Sequence, residues 1–168
     1  MKMLRFEKAA LEDAPILAEV SKRAFHSDVN CGGSGEGGPP GYDSAEWQAQ
    51  MMNYEPIIYY KVLRGDTIIG GLIVWVQGEG KYNLCRIYID SEFHNQGIGT
   101  QAMDFVLKAF PDAKVWTLDT PVWNCRTRHF YEKLGFRINK IEGDSVLYEK
   151  DNIRLQSQCN YIPPCVSI

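Results

Sequence analysis

The stretch IIYYKVLRGDTIIGGLIVWV, residues 57–76, most narrows what this chain can fold into. Two β-branched and aromatic runs meet at Arg64-Gly65-Asp66, which predicts a hairpin of two antiparallel strands. A polar turn, QGEGK, follows, and then another apolar strand over 84–89. An antiparallel meander in mid-chain is incompatible with a sheet built wholly from parallel βαβ units.

The flanking segments supply helices. Residues 3–8 read as a short strand. Asp13 then precedes Pro15 in a position suited to a first helical turn, and Ile16, Leu17, Val20 and Ala24 recur at helical spacing, so a helix is expected over 14–25. Asp43 with Glu46 three residues later reads as a capping box opening a second helix through about Met52. After the meander the pattern alternates. A helix starts near Gly97 with Ile98, Ala102, Phe105, Val106 and Ala109 on one face, then come a strand over 115–118, a helix over 124–134 stopped by Gly135, and strands near 136–141 and 145–150. The expected fold class is α/β (α+β): one domain over 1–150 with a mixed, mostly antiparallel twisted sheet of about seven strands and about four flanking helices. Residues 151–168 show no period and are set apart as a tail.

The 168 residues suffice for one hydrophobic core, and 45% hydrophobic with 23% charged residues is ordinary for a soluble domain. The longest apolar run, Ile68–Val76, has strand length and two glycines, so no membrane partner is expected. A formal charge of −3 argues against a generic nucleic-acid binder, which needs a basic face. Cys31, Cys85, Cys125, Cys159 and Cys165 form no CxxC pair, and MKMLRFEKAALED lacks the apolar centre of a signal peptide. Reduced thiols, a cytoplasmic location and no metal are expected. The apolar tail with Tyr161 and Pro163-Pro164 offers a face to a second copy, so a homodimer stands beside a monomer as an open assembly.

Two glycine-bearing stretches compete for a phosphate. CGGSGEGGPPG, residues 31–41, holds six glycines and two prolines, but it follows a helix and lacks the lysine and hydroxyl residue of a Walker loop. FHNQGIGT, residues 93–100, sits between an expected strand and an expected helix. There Gly97 and Gly99 let an anion approach the backbone, and the free N–H groups of a first helical turn favour negative charge. The same pattern also serves as a plain tight turn. Gly97-x-Gly99-x-x-Ala102, with Asp119 near the end of the next strand, also fits a dinucleotide-binding fingerprint, but the preceding meander disagrees with the repeated βαβ units that fold requires.

In NCRTRHFYEKLGF, residues 124–136, Asn124 and Tyr131 lie seven residues apart, two helical turns, and so share a face. With His94-Asn95-Gln96-Gly97-Ile98-Gly99, this pair of motifs resembles the GNAT superfamily of acyl-CoA-dependent N-acyltransferases. That family's phosphate motif begins with Gln or Arg where this chain has His94. Its second motif matches Asn124, Tyr131, Gly135 and Phe136.

The resemblance implies acetyl-CoA as acyl donor, lying between splayed strands 84–89 and 115–118. Backbone groups of Ile87, Tyr88 and Ile89 would pair with its pantetheine arm, and His94, Asn95, Gln96, Gly97, Ile98, Gly99 and Thr100 would hold its pyrophosphate. It further implies Tyr131 as general acid, with Asn124 orienting the cofactor, and acetyl transfer to a small-molecule or peptide primary amine by direct attack in a ternary complex. A phenol with pKa ~10 is protonated at neutral pH and can hand its proton to sulfur. Asn83 stands where many members carry a glutamate base, which leaves Glu79, Asp119 or an ordered-water path as proton acceptors. His26, Asp28, Asp43, Glu46, Trp47 and Trp123 are the candidate acceptor-pocket residues. Cys85 and Cys125 read as buried small residues rather than nucleophiles. Residues 31–41, on the acceptor side in such a fold, read as a mobile flap. The alternative function is a noncatalytic acyl-CoA-binding or sensing module, with a dinucleotide-binding protein third.

Overall fold

The computed structural model describes residues 3–152. Seven strands form a single sheet in the order β1-β2-β3-β4-β5-β7-β6. These are β1 (Leu4–Lys8), β2 (Ile57–Arg64), β3 (Thr67–Gly78), β4 (Lys81–Ile89), β5 (Val115–Pro121), β6 (Arg137–Glu142) and β7 (Ser145–Asp151). Four α-helices flank it: α1 (Ala14–His26), α2 (Ala45–Asn53), α3 (Ile98–Ala109) and α4 (Cys125–Lys133). The expected mixed, mostly antiparallel sheet is present, and residues 153–168 of the tail lie outside the described residues. Among the described residues no helix is long and apolar enough to cross a membrane.

Strand alternation sends side chains to two cores. On one face Ile98, Ala102, Met103 and Val106 of α3 bury against Val62, Leu72, Val74, Trp116 and Tyr148. On the other, Leu17, Val20 and Ala24 of α1 pack on Tyr59, Ile73 and Tyr88. Both helices present apolar stripes at the spacing the sequence predicts, which is why they fold onto the sheet and not away from it.

Local details depart from expectation: β5 runs to Pro121, three residues past its expected end, and two further differences have local causes. Strand β4 begins three residues earlier, at Lys81, because the turn closes tightly over Gly78, Glu79 and Gly80, all three at positive φ. Helix α2 is capped by Ser44, whose hydroxyl accepts from the Trp47 N–H at 3.2 Å. The cap thus falls one residue later than Asp43, and the Asp43–Glu46 capping box does not form.

Two irregularities in β4 create the site. Ile73 faces Arg86 and Val74 faces Leu84, so Cys85 is an extra, bulged residue. The bulge flips the alternation: Leu84 and Ile89 both pack toward α3, while Arg86 turns toward α2 and Tyr88 toward α1. In addition, β4 and β5 pair in parallel only over Lys81–Asn83 with Val115–Thr117. Beyond that point they part, and a wedge opens between them.

Candidate active site

A cleft of about 510 Å³ occupies the wedge. Ile87, Tyr88 and Ile89 of β4 line one side, and His94, Asn95, Gly97, Ile98, Gly99 and Thr100 line the turn into α3. Asp28, Arg126, Phe130 and Tyr131 close it. The Asp90 N–H donates to Ile69 O on β3. Antiparallel alternation therefore turns the N–H and C=O groups of Ile87 and Ile89 toward the open wedge, where the Ile87 groups and the Ile89 N–H can pair with an extended ligand while Ile89 O accepts from His94.

Gly97 caps α3 at φ 73°, and the first hydrogen bond of the helix runs from the Gln101 N–H to Gly97 O at 3.2 Å. The N–H groups just before it are left for an anion. A Cβ on Gly97 would meet nothing within 4 Å, and one on Gly99 would meet only Phe130 at 3.4 Å, so the turn is an open cradle. Asn95, also at positive φ (59°), lines the same space. Gln96 does not: its side chain accepts from Arg64 Nη1 at 2.7 Å and its amide reaches back to Glu92 O, away from the cleft.

His94 is committed within the protein. Its Nε2 lies 2.6 Å from Ile89 O, and a carbonyl can only accept, so Nε2 carries the proton. Nδ1 is then the acceptor for Arg126 Nη1 at 3.2 Å. Arg126 continues the chain to Asp28 Oδ1 at 2.6 Å. This relay ties the end of β4, the loop before α3, helix α4 and the segment after α1 into one frame. Desolvation, with Arg126 adding to it, holds the His94 imidazole below its ordinary pKa, against the hydrogen bond to Ile89. Burial pushes the Asp28 carboxyl up, against the opposing pull of Arg126.

Asn124 caps α4, its Oδ1 accepting from the Thr127 N–H at 3.2 Å, and is almost fully buried. Tyr131, two turns on, is 7% exposed, and that fraction meets the cleft. Its hydroxyl has no hydrogen-bond partner among the described residues, whereas Tyr82, Tyr148, Tyr59 and Tyr88 all use theirs. Burial, reinforced by the charges of Asp119 and Asp28, raises the Tyr131 pKa well above that of a free phenol.

The proposed proton acceptors separate cleanly. Glu79 sits in the tight β3–β4 turn, at the opposite end of β4 from Ile89, about 30 Å of extended strand away. The structure therefore does not bring it to the cleft. Asp119 is exposed on β5, accepts from Ser145 Oγ at 3.2 Å, and lies close enough to influence Tyr131.

Of the acceptor-pocket candidates, only Asp28 lines the cleft. His26 holds Tyr42 at 2.9 Å and Glu36 at 3.4 Å. Trp47 stacks under Arg86, Trp123 is 43% exposed, and Asp43 and Glu46 are exposed near the start of α2. Trp47, Trp123 and His26 instead embrace residues 31–41, which are folded down. A Cβ on Gly32 would come within 2.7 Å of Trp123 O, one on Gly38 would strike the Tyr42 ring, and one on Gly41 would overlap the Trp47 ring. The glycines here permit close approach as much as motion. Cys85 and Cys125, expected to be buried, are both exposed, because the bulge turns Cys85 outward and Cys125 opens α4 at the surface. Partial desolvation by neighbouring strands pushes the Cys85 thiol up to about 11, which keeps it protonated at neutral pH.

Arg126, Phe130 and Lys133 were not singled out from sequence, yet all line the cleft. Their spacing of four and then three places them on one stripe of α4, a signal that the Asn124–Tyr131 pairing masked.

The sequence profile of the Acetyltransferase (GNAT) family matches residues 23–136, more than half of the chain and the whole of this cleft. The chain belongs to the GNAT acetyltransferase family. Its fold is therefore that of the GNAT acetyltransferase family. It is 29% identical over 135 residues to YrkN, an uncharacterized protein of Bacillus subtilis strain 168, covering 79% of this chain and 72% of that one. The fold is similar to that of the PaiA N-acetyltransferase of Thermoplasma acidophilum in complex with coenzyme A, with a TM-score of 0.76 and 19% identity over 89% of this chain and 99% of that one. It is also similar to the ribosomal-protein-S18-alanine N-acetyltransferase of Escherichia coli, with a TM-score of 0.72 and 16% identity over 89% and 94% of the two chains.

Proposed function

We propose that this GNAT protein transfers the acetyl group of acetyl-CoA to a primary amine by direct attack in a ternary complex. The observation that carries this reading is the coincidence, in one wedge, of an unpaired β4 edge, an open glycine cradle at α3 and an uncommitted Tyr131 hydroxyl. The residues present fit the cofactor. Ile87 and Ile89 offer backbone partners for an extended amide-bearing arm, and the α3 turn offers N–H groups to a pyrophosphate. Lys133, exposed at the cleft, adds positive charge.

Bound acetyl-CoA supplies an activated thioester. The chain's own residues do the rest. A backbone N–H at the end of β4 stabilises the oxygen that gains charge during attack. Tyr131, protonated at neutral pH, donates its proton to the departing sulfur, and the resulting phenolate takes the second proton that the new amide nitrogen releases. Asp119 takes the proton of the incoming ammonium, directly or through water. Asp28 and His94, both engaged with Arg126, hold the walls of the site and do not act as the base.

The test is a screen of amines with acetyl-CoA, following CoA release and product mass. Amine-dependent release supports the enzyme. Tight acetyl-CoA binding without release from any amine supports a noncatalytic acyl-CoA-binding module. Binding of NAD in preference to acetyl-CoA rejects both.

A further inference from the structure

Arg86 is a cation without an anion. It follows the bulged Cys85 on β4 and faces α2, with its guanidinium carbon 4.0 Å from the centre of the Trp47 ring. Nη2 donates to Pro40 O at 2.5 Å, and Nη1 is buried with no hydrogen-bond partner. Partly buried Lys61 and Arg126 and exposed Arg23 hold the carboxylates of Asp13, Asp28 and Asp90 respectively, whereas partly buried Arg64, Arg128 and Lys150, like Arg86, donate to neutral acceptors. Arg86 forms no ion pair among the described residues. A desolvated guanidinium facing only a carbonyl dipole and a π-face is poorly compensated. Stacking on Trp47 fixes the plane of the fork, so with Pro40 O withdrawn from Nη2 the Nη1–Nη2 edge is pre-organised for two parallel N–H···O bonds.

We propose that Arg86 is the anchor for a carboxylate on the amine acceptor, and that the acceptor is an amino acid. This rests on the acyltransferase reading above. A carboxylate fits better than a phosphate monoester, since its two oxygens match the fork and its single charge balances one guanidinium. Arg86 is two residues from Tyr88 on the same face of β4, and Tyr88 lines the cleft, while the charges of Arg86 and of exposed Asp119 on β5 both reach the intervening strand at Cys85. A zwitterion with its ammonium toward Asp119 and its carboxylate toward Arg86 complements both. In the structure the Pro40 carbonyl occupies the place of that carboxylate. The acceptor therefore displaces Pro40 from Arg86, and Pro39-Pro40-Gly41 moves as it binds.

The experiment uses the full chain and three acceptors that share one side chain: phenylalanine, its methyl ester and phenethylamine. Native protein should prefer the free acid by about 10- to 100-fold in kcat/KM, the size of a charge-assisted pair. In Arg86→Met the acid-to-ester ratio should fall to within about twofold of one, and Arg86→Lys, which keeps charge but loses the fork, should lie between. Equal use of acid and ester by native protein overturns the proposal while leaving acyl transfer standing. So does a ratio unchanged in Arg86→Met. If no amine is acetylated, the acyltransferase reading has failed and calorimetry decides this one separately. Binding of N-acetylphenylalanine but not its amide, lost in Arg86→Met, supports the anchor, and equal binding of the two overturns it. Urea unfolding of each variant checks folding, and if both variants unfold, the native acid-to-ester ratio alone decides.

Discussion

Arg126 Nη2 lies 2.6 Å from Asp28 Oδ1, joining helix α4 to the short 3₁₀ turn after α1 across the mouth of the cleft. The pair also carries His94, through Arg126 Nη1, and through His94 it reaches the end of β4. Replacing Arg126 by Met leaves Asp28 buried without its counter-charge. The Arg126 side chain is 38% exposed, so the loss should be smaller than for a fully buried pair, about 1–2 kcal/mol in urea unfolding. Acetyl-CoA affinity, measured by calorimetry, should weaken in the same variant, because the cleft wall loses its tie to β4.

Tyr131→Phe removes one oxygen from a side chain that makes no hydrogen bond among the described residues. Stability should therefore change by less than about 0.5 kcal/mol, while kcat should fall by about 100-fold with acetyl-CoA Kd within about twofold of native. A variant with native kcat across the pH range contradicts the role of proton donor.

His94 has a folded-state pKa below its ordinary 6.5. Between the two values the unfolded chain binds more protons, so stability is fully present above 6.5 and is lost as pH falls through that window. Asp28 acts oppositely lower down. Its folded value lies above 3.8, so its contribution declines as pH rises through its own window. Urea midpoints taken from pH 5 to 7.5 should rise for the native protein and rise less for His94→Gln.

The glycine-rich segment yields a contrast within itself. At Gly41 the left-handed φ of 76° and the Trp47 ring both oppose a side chain, so Gly41→Ala should cost about 2–3 kcal/mol. At Gly35 nothing lies within 4 Å, and Gly35→Ala should stay within about 0.5 kcal/mol of native by urea unfolding. Equal, small effects at both positions would mean that the segment does not pack against Trp47.

Much of this was legible in the sequence because its signals are local. The hairpin glycine, the 3.6-residue stripes of α1 and α3, and the α3 and α4 caps at Gly97 and Asn124 each depend on residues close in the chain. Less legible were features set by distant partners. The Cys85 bulge exists only in register with Ile73 and Val74, and Arg126 becomes part of the cleft only when Asp28 and His94 meet it from other elements. Asp43 and Ser44 show the limit of even a local signal, since adjacent residues compete for one cap and geometry selects Ser44. Glu79 was a candidate by sequence proximity to β4, but an extended strand carries it to the wrong end.

The most direct test of the central claim is a single-turnover experiment in which protein saturated with acetyl-CoA is mixed with an acceptor amine found by the screen. Quenched samples are analysed for CoA thiol, acetylated amine and intact protein mass. Direct attack in a ternary complex predicts that thiol and acetylated amine appear at one rate, only when amine is present, with no acetyl group left on the protein. Thiol release before amine is added, with an acetyl group retained on the chain, would contradict it.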